Sequence, residues 1–128
     1  MKKMIIAVFC ALLFGWPLAA HEGEMHDEKM EMNKSAENFS VKGEIIDMVC
    51  YLDHGAVGAK HAECAKTCIS SGLPVGLKGE DGKIYLLVGE HKPINPALSS
   101  LAAKTVTVKG KRVSRDGFNM IENAEITQ

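Results

Sequence analysis

The sequence predicts a mainly β domain: a small five-stranded barrel with one short helix after its first strand and another between its third and fourth. Three observations point there. Short apolar runs with two-residue alternation recur from Phe39 almost to the end of the chain, in lengths that suit strands. Asp81-Gly82 and Asp116-Gly117 each stand between two such runs, the strongest local sign of a β-hairpin. The two stretches that break the alternation, around Cys64 and around Ala97, are short and carry helix start and stop signals.

Residues 1–20 have a different character. "MKK" supplies positive charge, and "MIIAVFCALLFGW" is an apolar run shorter than the roughly 18 residues a membrane span needs. "PLAA" offers a small-residue cleavage region, with the cut expected after Ala20. This reads as a secretory signal peptide, so the mature protein is expected to be periplasmic or secreted, with no stable membrane insertion after cleavage. Phe9 precedes Cys10 where a lipoprotein needs a small residue, so Cys10 is expected to leave with the signal. Removing 20 of the 128 residues leaves 108, and losing Lys2 and Lys3 from 15 basic residues leaves 13 against 16 acidic ones, a net charge of −3. Nothing in that balance favours nucleic acid, and with few aromatic residues no nucleic-acid partner is expected.

Residues 21–38, "HEGEMHDEKMEMNKSAEN", carry six acids against two lysines and no Val, Ile, Leu or aromatic residue. They cannot bury a core and are expected to form a disordered tail. Then "FSVKGEIIDMVCYL" alternates through Val41, Ile45 and Val49 and predicts a long first strand, with Gly43 as a bend or bulge. "HGAVGAK" is a Gly-rich loop, and "HAECAKTCISSG" an alanine-rich helix closed by Gly72 in a left-handed cap. "LPVGLKG" and "KIYLLVG" pair across Glu80-Asp81-Gly82. "NPALSSLAA" opens a helical turn with Pro96, with Asn95 as its cap. "KTVTVKGKRVS" and "GFNMIENAEI" pair across Arg115-Asp116-Gly117.

This order resembles that of the OB-fold, a five-stranded barrel with a helix between its third and fourth strands, and "KTVTVKGKRVSRDGFNMIENAEI" resembles the closing hairpin of such barrels. The resemblance covers Phe39 to Ile126 and implies one OB-fold-like domain over residues 39–128. The connection after the first strand departs from it, being about twenty residues long and holding the cysteine-bearing helix, and loops of that length are usually functional. The pattern Asp47-x-x-Cys50, His61-x-x-Cys64-Ala65-x-x-Cys68-Ile69-x-x-Gly72-x-Pro74-x-Gly76, then Asp81-Gly82-Lys83 and Tyr85, is similar to one in an uncharacterised family of small secreted bacterial proteins. The similarity implies a shared architecture and no activity.

Three cysteines and two histidines fall within the 19 residues from Cys50 to Cys68. With Cys10 gone, three thiols in an oxidising compartment leave one unpaired unless they share an ion or bridge to a partner. On a helix His61, Cys64 and Cys68 stand at i, i+3 and i+7, within about 60° of one another on one face. Cys50, at the end of the preceding strand, would return a third sulfur and complete a soft Cys3His set suited to a copper or zinc ion. His54 is a further candidate nitrogen. In the tail His21, Met25, His26, Met30 and Met32 mix imidazole with thioether, which suits Cu(I). Helical C-x3-C with a separate histidine is also similar, in ligand types alone, to the copper site of periplasmic copper chaperones that serve cytochrome oxidase. That likeness implies Cys64 and Cys68 as the pair, with His61 or His54 as the nitrogen.

Two other readings stay open. The stripe of His61, Cys64, Ala65, Cys68 and Gly72 can be a small-residue packing face, with a disulfide from Cys50 to Cys64 or Cys68. The result is a stapled interaction domain that binds a protein or small ligand without metal. A thiol redox role would want C-x-x-C on a thioredoxin-like pattern, and neither is present. No catalytic residue is assigned, and the protein is expected not to be an enzyme. Asp47 and Asp53 are read as solvated loop acids or as carboxylates behind a ligating histidine, Tyr51 and Tyr85 as half-buried barrel residues, and His91 as a loop residue. The expectation is a periplasmic or secreted metal-binding protein, with the ion and a periplasmic protein as candidate partners.

Overall fold

The computed structural model describes residues 36–127. The expected signal peptide and the tail ligands His21, Met25, His26, Met30 and Met32 lie outside them. Five strands, β1 (Phe39–Asp47), β2 (Val75–Gly79), β3 (Ile84–Leu87), β4 (Thr105–Arg115) and β5 (Phe118–Thr127), close into a barrel in the order β1-β2-β3-β5-β4. All neighbours are antiparallel except β3 and β5, which pair in parallel through Leu86 with Met120 and Leu87 with Ile121. The expected OB-fold-like barrel is present.

β1 makes the closure possible because its first half pairs with β4 and its second half with β2, and Gly43 and Glu44 pair with both. The backbones approach so closely at Gly43 that any Cβ there would run into the Lys78 carbonyl, which is the reason for glycine. The bulge lies elsewhere, at Gly110, where the β4–β5 register shifts between Lys109 and Lys111. Asp116 and Gly117 both take positive φ, 51° and 86°, as the second hairpin's tight turn requires. Inward positions of alternate residues, among them Val41, Ile45, Leu77, Leu87, Val108 and Ile121, fill the barrel. Each such side chain stabilises the fold by about 2 kcal/mol.

The first strand is shorter than expected. It ends at Asp47, and Met48–His54 form a helix, α1. The alternation through Val49 is misleading: Val49 and Leu52 are exposed, and two caps impose the helix. The Asp47 carboxylate accepts from the Cys50 N–H, and Gly55 turns left-handed at φ 70°, its N–H bonded to the Tyr51 carbonyl at 2.9 Å.

After a 3-10 turn at Ala59–His61 comes α2, Ala62–Ser70, the expected helix without its first residue: His61 stands at the cap position, outside the helix that was expected to carry it with Cys64 and Cys68. Gly72, at φ 98°, donates its N–H to the Ile69 carbonyl and Leu73 donates to that of Cys68, the pair of hydrogen bonds that ends many helices. Ala65 and Ile69 are its buried residues and join the barrel core together with Leu98 and Leu101.

Asn95 is the first residue of the third helix, α3 (Asn95–Leu98), and Ile94 stands at the cap position. Instead of capping, the Asn95 carboxamide donates to the carbonyls of Ile69 and Leu73, at 3.0 and 2.6 Å. Tyr85, expected to be half-buried, is fully buried, and Tyr51 is half-buried as expected but rides on α1 and not on a barrel strand. Among the described residues no helix is long and apolar enough to cross a membrane.

Candidate metal centre

Cys50 is the third residue of α1, Cys64 the third of α2, and Cys68 lies about one turn further along α2. Cys50 therefore rides on a helix and not at a strand end, yet its sulfur still meets the others. The Sγ atoms of Cys50 and Cys64 are 3.9 Å apart, and all three Sγ atoms lie within 4.8 Å of one another. All three cysteines are free, so no disulfide is formed among the described residues. An ion about 2.3 Å from two sulfurs at that 3.9 Å spacing subtends roughly 116°, between the tetrahedral and trigonal values.

The imidazoles stand beside this group. His61 ends the 3-10 turn and, with Cys50, Cys64, Asp47 and Gly58, lines a cavity of about 10 Å³, room for about one water. Its ring lies 5.9 Å from that of His54. His54 is exposed, and its Nδ1 meets Asp53 at 3.1 Å, an arrangement in which a carboxylate orients an imidazole. The set of ligand atoms that the fold itself brings together is the three sulfurs. His91 lies in an exposed loop, as expected.

Asp47 is only 2% exposed. Its Oδ2 accepts from the Cys50 N–H at 2.8 Å, while Oδ1 is buried without a hydrogen-bond partner. A hydrogen bond to this carboxylate is the largest cause that pushes the Cys50 thiol up to about 12; burial and the thiols of Cys64 and Cys68 add to it. Burial chiefly raises Cys68 as well. A buried carboxylate with an unmatched oxygen beside three sulfurs is a place where a cation is favourable.

The sequence reading assigned Asp47 to a loop and missed its cap. A signal was there: Asp47 and Gly55 bracket "MVCYLDH" as start and stop residues of a seven-residue helix.

No family model, curated protein or solved structure matches the chain.

Proposed function

We propose that this is a metal-binding protein that holds one thiophilic ion on Cys50, Cys64 and Cys68 and works in metal handling as a binding module, not an enzyme. The observation that carries this reading is the approach of three free thiols to within 4.8 Å beside the buried Asp47 carboxylate. A packing role accounts less well for the cluster, because Cys64 is exposed. Cu(I) is our first choice, since soft thiolates select it and three are enough to hold it. Zn(II) would want a fourth ligand, which a side-chain rotation of His61, or of His54, would bring.

The His/Met tail, with His21, Met25, His26, Met30 and Met32, adds weight to copper and would capture or hand over the ion. The proposed compartment is the periplasm or the exterior, and the proposed partner is a periplasmic protein that delivers or accepts the ion.

The test is titration of the reduced mature protein with Cu(I) and with Zn(II) against a chromophoric chelator. One equivalent is expected. Zinc-site energies of 10–16 kcal/mol over four ligands imply that Cys64→Ser or Cys68→Ser weakens binding about 100-fold or more. Unchanged stoichiometry and affinity in both variants would sink the reading.

A further inference from the structure

We infer that Cys64 and Cys50 form a thiol–disulfide exchange pair, with Cys64 the attacking thiol and Cys50 the resolving one, so that an external disulfide closes two of the three sulfurs into a bond and expels the ion. The pair stands on its own geometry, and the expulsion rests on the metal-binding reading above.

Access assigns the order. Cys64 is the exposed member of the cluster, while Cys50 and Cys68 are half-buried, so a disulfide arriving from solvent meets Cys64 first. Proximity assigns the second step. Cys50 Sγ lies 3.9 Å from Cys64 Sγ, and the two must close to about 2.05 Å, a shift within reach of side-chain rotation. Cys64 and Cys68 sit four apart on α2, where side-chain vectors diverge, which disfavours a direct bond between them. Cys68 is then the thiol left over.

The chemistry balances with a small organic disulfide, R–S–S–R, as oxidant. The Cys64 thiolate attacks one of its sulfurs, the S–S bond breaks, and R–S⁻ leaves and takes up the proton that Cys64 lost. Cys50 then attacks Cys64 Sγ in the mixed disulfide while its own thiol proton passes to the departing R–S⁻, which leaves as the second thiol. Two protein thiols are oxidised and one external disulfide is reduced to two thiols. With Cys50 and Cys64 joined, the ion keeps one sulfur of three and dissociates. Conversely, a bound ion holds both thiolates as ligands and shields them from attack.

The experiment uses the mature protein, reduced, both metal-free and loaded with Zn(II), which oxidised glutathione does not itself oxidise. Each sample is mixed with oxidised glutathione, quenched by alkylation and mapped by mass spectrometry, while a chromophoric chelator follows free ion. The expected product is a Cys50–Cys64 disulfide with Cys68 alkylated, formed at least tenfold more slowly from loaded protein and with release of one ion per disulfide. Cys50→Ser is expected to stall with glutathione on Cys64, and Cys64→Ser to react with neither step at a comparable rate.

A disulfide that joins Cys68, or equal adduct formation at Cys50 in Cys64→Ser, overturns the assignment. If the reduced protein binds its ion but no Cys50–Cys64 bond forms, the inference falls and the metal reading stands. If the bond forms and the reduced protein never holds an ion, the metal reading falls with its expulsion step, and the exchange pair stands.

Discussion

The backbone N–H of Cys50 donates to Asp47 Oδ2 at 2.8 Å, so a single carboxylate ends β1, begins α1 and stands against the first cysteine. Local structure and site chemistry therefore share one residue. The same carboxylate that places Cys50 also makes its thiol hard to ionise, up to about 12.

Asp47→Asn separates those two roles. Asparagine caps helices about as well as aspartate, so urea unfolding should move by less than about 1 kcal/mol. The amide carries no negative charge, so the Cys50 pKa should fall; each unit of fall raises the thiolate fraction at pH 8 about tenfold and, because nucleophilicity drops with the pKa, the alkylation rate about threefold. Alkylation of Cys50 in the reduced, metal-free protein is the measurement. An unchanged rate would mean that burial, and not Asp47, governs this thiol.

Asn95 anchors the far end of the cysteine-bearing helix through its bonds to Ile69 and Leu73. Asn95→Ala leaves both carbonyls without that donor and should cost about 2 kcal/mol in urea unfolding of metal-free protein. Asn95→Asp should cost more, because it turns a carboxylate towards two carbonyl oxygens. Equal losses in the two variants would show that side-chain volume, not hydrogen bonding, matters at this position.

Tyr85 predicts the alkaline limit of the fold. It is buried, its hydroxyl donates to Asp81 Oδ2 at 2.6 Å, and burial first, then Asp81, push it from 10.0 up to about 12. The stabilisation from the neutral phenol is complete below pH 10 and is lost as pH rises to about 12, because only the unfolded chain ionises readily in that window. The same hydrogen bond holds Asp81 below its ordinary 3.8, so its contribution is present above that pH and is lost as pH falls further. Tyr85→Phe should flatten both limbs of the urea midpoint against pH. A variant that keeps the full alkaline drop between pH 10 and 12 would refute this account.

Much of the barrel was legible because its signals are local. Asp81-Gly82 and Asp116-Gly117 fix hairpins within four residues, and Gly72 ends α2 by its own positive φ. The error at β1 is also local in origin. Val49 continues the two-residue alternation of Val41 and Ile45, but Asp47 and Gly55 cap the chain into a helix, and Val49 points to solvent. Asn95 was misread for the opposite reason, since its acceptor Ile69 lies 26 residues away and no local pattern discloses it.

The sequence by itself determined the strands, the two hairpins, the helix around Cys64 and the crowding of three thiols into one short connection. Only the tertiary structure decided that Cys50 rides on a helix, that its sulfur comes to 3.9 Å from that of Cys64, and that His61 stands beside the sulfurs and not among them. The physical reason is that spacing along one helix orders side chains on one face. The meeting of sulfurs from α1 and α2, by contrast, depends on how both helices are held against the end of β1, through Asp47 at one and through Asn95 and the barrel core at the other.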